Sequence, residues 1–258
     1  MKLVVAGGNG FIGTEICRVA VQNGHEVAAF GRSGRPDLTP TRHPWVQDVE
    51  WRAADVFATD TWSDLLEGAD ALVHSIATIQ EAPERNVTFE RVNGESVLHA
   101  AQAATDAGVE AFVFLSVRDA LPFVSGRFLS AKRRAERELT EQYTQLRSVI
   151  LRPNLVYGPR RRGSASLAAV LEQMPSLGAG YASDEGRPLP VELVAAAAVH
   201  AAFTASLEGA LTVPQIADLG RTSGLVDPDE LAEPTLTPLL AGLGGAALGA
   251  WLWRRWRS

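Results

Sequence analysis

Apolar residues along this chain recur in two alternating periods. Leu3 to Ala6 is a short unbroken apolar run, Phe11 to Asn23 carries helical spacing stopped by Gly24, and Glu26 to Phe30 is apolar again. A strand, a helix and a second strand are predicted. The alternation continues, with "VEWRAAD" as a strand, "TDTWSDLLEGA" as a short helix, "DALVHSIA" as a buried strand and Glu84 to Ala107 as a long helix ended by Gly108. "EAFVFLSV" and "RSVILRP" supply two more strands, separated by the helix that contains "GRFLSAKRRAERE", residues 126–138. Strands alternating with helices predict an α/β fold, a doubly wound parallel sheet covered on both faces. After residue 158 the alternation weakens around "SLAAVLEQM" and "VELVAAAAVHAAFTASL". Residues 1–158 are read as the main domain, 159–233 as a small lid over the C-terminal edge of the sheet, and 234–258 as a hydrophobic C-terminal helix.

Composition narrows the function classes. The 258 residues are 46% apolar and 21% charged, enough for a large core. With a net charge of −6 and scattered lysines and arginines, nucleic acid is not an expected partner. Cys17 is the single cysteine, so neither a disulfide framework nor a cysteine-rich metal site is expected, and no metal ligands are assigned.

The first chemistry lies in Gly7-Gly8-Asn9-Gly10-Phe11-Ile12-Gly13. Gly7, Gly10 and Gly13 fall between a strand and a helix, where small residues admit a pyrophosphate and the helix N-terminus favours its charge. This placement predicts a dinucleotide loop. A site for NAD usually has an acidic residue at the end of the second strand, to hold the ribose hydroxyls. Here the chain reads Gly31-Arg32-Ser33, a guanidinium and a hydroxyl suited to a 2′-phosphate. NADP(H) is the expected cofactor, preferred over NAD(H).

These motifs resemble the short-chain dehydrogenase/reductase superfamily, in its extended and atypical branches, whose fold is Rossmann-like. The resemblance covers roughly residues 1–160. It implies that "AADV" brings Asp55 and Val56 to the adenine, and that "LVHSIA" runs Ser75, Ile76 and Ala77 beside the cofactor. It puts Asn93 at the family's helix asparagine and Ser116 of "FVFLSV" at its catalytic serine. Pro153 and Asn154 of "LRPNLVYGP" then lie near the nicotinamide, and Lys132 at the lysine that contacts the nicotinamide ribose. His74 and Asn93 are assigned structural roles.

The family's proton donor is a tyrosine four residues before the lysine, and here that residue is Phe128. Phenylalanine has no acidic hydrogen, and loss of a general acid commonly costs about 10²–10⁴ in rate. Tyr143 lies too far along the same helix to substitute, while Tyr157 belongs to another segment. Among atypical members the arrangement is similar to the nucleotide-binding accessory subunit of respiratory complex I and a ubiquinone-biosynthesis accessory protein. That similarity implies tightly held NADP(H) with a structural role, at a membrane where quinone chemistry occurs.

The tail is consistent with a membrane. Residues 234–253 carry no charge, twenty helical residues reach about 30 Å, and "RRWRS" follows. A span, an in-plane helix and a protein-packed tail all remain open, with the cytoplasmic face of a membrane as the expected location. Two functions stay open as well. One is an accessory NADP(H)-binding protein at a membrane or membrane-protein complex. The other is an NADPH-dependent oxidoreductase or isomerase acting on a carbonyl or quinone-like apolar substrate without the family tyrosine.

Overall fold

A computed structural model describes residues 1–119, 125–160 and 183–233. Six strands, β1 (Lys2–Ala6), β2 (Glu26–Gly31), β3 (Val49–Ala53), β4 (Ala71–His74), β5 (Ala111–Leu115) and β6 (Arg147–Leu151), follow the expected order along the chain. A two-stranded pair, β7 (Val156–Tyr157) and β8 (Leu189–Pro190), and a last strand, β9 (Gly209–Leu211), complete the set among the described residues. The main sheet runs β3-β2-β1-β4-β5-β6-β9 with every pairing parallel. The chain winds outward from β1 to β3 and then returns to β4 on the other side of β1. That reversal opens a crevice at the C-terminal ends of β1 and β4, where sheets of this kind bind ligands.

Side-chain alternation divides each strand between two cores. Leu3, Val5, Val27, Val73 and Val113 face α1 (Phe11–Gln22) and α4 (Val191–Phe203). Val4, Ala28, Leu72, Phe112 and Phe114 face α2 (Ser96–Asp106) and α3 (Gly126–Gln142). Both faces are dry, which is why the strands read as continuous apolar runs. Residues 183–233, expected to belong to a lid, supply β9, α4 packed on α1 and the sheet, and α5 (Val213–Thr222) packed on α4. Alanine dominates α4, combining the best helix propensity with a side chain small enough for close packing.

Two expected elements differ. "TDTWSDLLEGA" forms two 3₁₀ turns, Thr59–Thr61 and Ser63–Leu66. Trp62 between them is fully buried and stacks on Phe30 with ring centroids 4.3 Å apart. The helix expected over Glu84 to Ala107 regularises only at Ser96, after a π-helical turn at Arg91–Glu95. Upstream, Asn86 takes a left-handed conformation (φ 57°) that ends a 3₁₀ turn at Pro83–Arg85. Segment "SLAAVLEQM" and the hydrophobic tail 234–258 lie outside the described residues. Among the described residues no helix is long and apolar enough to cross a membrane.

Candidate functional site

The register of the central strands brings the site together. Ala6 pairs with both Phe30 and His74, so Gly7 and Ser75 leave the sheet level with Gly31, the last residue of β2. Gly7 turns with φ +85°, a conformation that costs glycine nothing, and its N–H donates to Phe30 O at 2.8 Å. The hydroxyl of Thr14 lies 2.9 Å from Gly8 O and 2.7 Å from Gly10 O, tying the loop to the first turn of α1. Gly13 is required by space. A Cβ there would stand 2.1 Å from Gly7 O and 2.7 Å from Ser75 Oγ. No side chain caps α1, so its positive end stays with the glycine loop.

Beside this loop lies a cavity of about 420 Å³. Ten of the residues singled out in the sequence meet in its wall. They are Gly7, Asn9 and Gly10 of the loop, Arg32 and Ser33 after β2, Asp55 and Val56 after β3, and Ser75, Ile76 and Ala77 after β4. Phe11, Ile12 and Gly13 form the first turn of α1 outside that wall, and Phe11 lines a separate cavity with Trp45 and Val191. Sequence reasoning did not single out Phe57, Thr78, Arg85, Asn86, Arg91 or Ser96, which also line the pocket. Among the described residues the wall therefore carries three arginines, Arg32, Arg85 and Arg91, against one acid, Asp55. On a chain of net charge −6 this is a locally basic cavity, suited to an anion.

A strap over residues 78–90 closes one side. Ala82 and Val87 exchange backbone hydrogen bonds of 2.8 and 3.1 Å. Asn93 turns inward from the π-helical turn and clamps Thr78, accepting from its N–H and donating to its C=O at 2.9 Å each. Arg127 donates to Glu81 at 3.0 Å and to Glu90 at 2.8 Å, fastening the strap to the start of α3. Phe89, at the strap's end, meets the ring of Phe128 edge to face, with centroids 6.0 Å apart.

Phe128 is thus buried in an apolar cluster with Phe89, Val117 and Ala131. The buried face of α3 runs Phe128, Ala131, Lys132, Ala135, Glu136, Leu139, so its helical period carries two ionisable groups inward. The Lys132 ammonium donates to Leu115 O at 2.7 Å and lies 4.8 Å from the centre of the Phe114 ring. Burial lowers its pKa to about 7, against the opposing pull of the Glu136 carboxylate. Ser116 donates its hydroxyl hydrogen to Glu136, which also receives Arg133 at 2.5 Å and Arg152 at 2.6 Å. A serine has one hydroxyl hydrogen, and here it is committed to that carboxylate.

Besides Phe11, Ile12 and Gly13, four more expected site residues stand outside the pocket wall. These are Ser116, Lys132, Pro153, whose carbonyl accepts from Arg118 N at 2.8 Å, and Asn154, whose amide donates to Gly186 O at 2.8 Å. Tyr143 caps the C-terminal end of α3, and Tyr157 is buried on β7 beside a different cavity. Ser96 donates its hydroxyl hydrogen to Val92 O at 2.7 Å, so the 3.0 Å contact from His74 Nε2 assigns the imidazole hydrogen to that nitrogen. Burial first, and the Lys132 charge second, lower the His74 pKa to about 3. His74 is a neutral core histidine. Among the described residues no cluster of ligating side chains is arranged to hold a metal ion.

Comparison with known proteins agrees with this construction. Residues 3–122 match the profile of the NAD dependent epimerase/dehydratase family. An uncharacterized chloroplastic protein of Arabidopsis thaliana is 39% identical over 163 residues, covering 62% of this chain. This chain spans about half, 52%, of that relative's length. MIOREX complex component 2 of Saccharomyces cerevisiae is 27% identical over 205 residues, covering 62% of this chain and 74% of the yeast protein. The structure of UDP-glucuronic acid 4-epimerase from Bacillus cereus, in complex with NAD, superposes with a TM-score of 0.60. It shares 20% identity over 82% of this chain and 78% of the epimerase, a likeness of fold. Strand order, glycine loop and profile converge: residues 3–122 are similar to the NAD dependent epimerase/dehydratase family, and the chain has a Rossmann-like fold.

Proposed function

We propose that this protein is an NADP(H)-holding accessory protein at a membrane, in which the dinucleotide stabilises the fold and an interface and no substrate is turned over. The observation that carries this reading is the state of the proton-donor positions. Phe128 stands where the family tyrosine belongs and is packed under Phe89, while Ser116 gives its only hydroxyl hydrogen to Glu136. Neither residue is in the pocket wall. A ligand that binds only the native state stabilises it by mass action, so a retained cofactor serves such a protein without chemistry.

The cofactor preference rests on Arg32 and Ser33, both exposed on the pocket wall at the end of β2. Arg32 is exposed on the pocket wall, where its fork can meet a phosphate. The residues that hold the dinucleotide in this reading are the loop Gly7 to Gly13, Arg32, Ser33, Asp55, Val56 and Ser75 to Ala77. Lys132, Pro153 and Asn154, which stand outside the pocket wall, are assigned to the nicotinamide end by the family resemblance alone. The membrane location, on the cytoplasmic face, rests on the uncharged run 234–253 and its basic end, and an assembly role on the similarity to a MIOREX complex component.

Replacing Arg32 with alanine tests the preference. A charge-assisted bidentate contact contributes roughly 1.5–3 kcal/mol, so NADPH affinity falls about 10–100-fold while NADH affinity stays within a factor of two. Titration of both cofactors against the two proteins measures it. Equal affinities for NADPH and NADH in the unmodified protein contradict the preference.

A further inference from the structure

We propose that Arg91 is an adenine-holding residue, its guanidinium supplying one face of the slot whose edge is formed by Asp55 and Val56. The inference rests on the reading of the pocket as a dinucleotide site and concerns a residue that the glycine and β2 motifs do not include. Arg91 opens the π-helical turn. That turn sends Asn93 inward to Thr78 and leaves Arg91 on the pocket wall.

The local geometry is specific. The guanidinium carbon sits 3.7 Å from the centre of the Phe57 ring, with the side chain 32% exposed. Phe57 is itself held in place. Its N–H donates to Asp55 Oδ1 at 3.0 Å, and its ring makes a T-shaped contact with His99, centroids 5.0 Å apart. Arg91 and Phe57 therefore form a short stack anchored to the same turn that presents Asp55 to the pocket. A guanidinium with one face on an aromatic ring has its other face available for a second planar π system, and a purine is the planar part of a dinucleotide. Among the described residues Arg91 is paired with one acid, Glu95, 3.7 Å away, a loose contact at an exposed site that leaves the cation free for stacking.

This assignment separates two arginines of the wall by chemistry. Arg32 uses its hydrogen-bonding fork and reads a phosphate; Arg91 uses its flat face and reads a base. The two roles separate experimentally because one depends on the 2′-phosphate and the other on adenine alone.

Full-length protein and its Arg91→Ala and Arg91→Gln variants are titrated with NADPH, NADH, AMP and nicotinamide mononucleotide, and melting is recorded without ligand. Arg91→Ala is expected to weaken NADPH, NADH and AMP by a common factor of about 3–10, with nicotinamide mononucleotide unchanged. Arg91→Gln keeps much of the volume, loses the cation and behaves likewise. An unchanged AMP affinity overturns the proposal, as does a loss confined to NADPH, which would make Arg91 a phosphate ligand. A lowered melting temperature with unaltered nucleotide affinities also overturns it, leaving Arg91 as a support for Phe57. If the unmodified protein binds none of the four compounds, the nucleotide reading fails with it; if it binds them and the variants match it, only the Arg91 assignment fails.

Discussion

Glu136→Ala is expected to lower the unfolding free energy by about 3 kcal/mol, the low end of the cost of breaking a buried ion pair. The Glu136 side chain is 4% exposed and joins three parts of the fold. It receives Ser116 from the end of β5, Arg133 from its own helix and two bonds from Arg152 just after β6. Arg133 also donates to Arg118 O, so removing the carboxylate loosens the segment beyond β5 as well. Both arginines keep some contact with water, which moderates the loss and is why the low end applies. Ser116→Ala is the companion measurement. It removes one hydrogen bond to a charged group and is expected to cost about 1.5 kcal/mol. Urea denaturation of the three proteins decides the matter. A loss below about 1 kcal/mol for Glu136→Ala, the range of surface pairs, would mean that the cluster is solvated.

Gly13→Ala is expected to damage both stability and nucleotide binding. The added methyl would lie 2.1 Å from Gly7 O and 2.8 Å from Gly7 C, backbone atoms that cannot rotate aside as a side-chain tip can. Overpacking of this kind costs roughly 1–3 kcal/mol. The loop that must shift is the one that also lines the pocket, so affinity for any dinucleotide is expected to fall more than about 10-fold, the equivalent of 1.4 kcal/mol. Gly10→Ala provides the contrast in stability. Its methyl would meet Gly7 O at 3.1 Å, a tight contact that a small adjustment relieves. Melting curves and NADPH titrations of the two variants are the check. Equal melting temperatures for Gly13→Ala and the unmodified protein would contradict the close-approach explanation.

What was legible in the sequence was local. The strand, glycine loop and helix of residues 2–22 declare themselves because their signals fall within a few residues of one another. The same holds for Arg32 and Ser33, fixed to the end of β2, and for Asp55 and Val56 after β3. The strap was not legible. Its shape depends on Arg127 reaching Glu81 across 46 residues and on Asn93 reaching back to Thr78, partnerships that helical periodicity cannot express. Arg85 and Arg91 escaped notice for that reason, since on a continuous helix they read as surface charges.

Lys132 and Glu136 show a subtler limit. Their spacing with Phe128 marks one face of α3, and an exposed reading of that face was possible from charge alone. The apolar residues at 128, 131, 135 and 139 place them on the buried side, so the period held the answer. That Ser116 would spend its hydrogen on Glu136 was not readable, because β5 and α3 meet only in three dimensions.

Native mass spectrometry of the purified full-length protein tests the central claim most directly, since it reports retained cofactor and bound partners together. After incubation with equal amounts of NADPH and NADH, followed by buffer exchange, one NADPH per chain is the predicted adduct. A chain that retains no nucleotide, or that takes NADH as readily, would contradict the account.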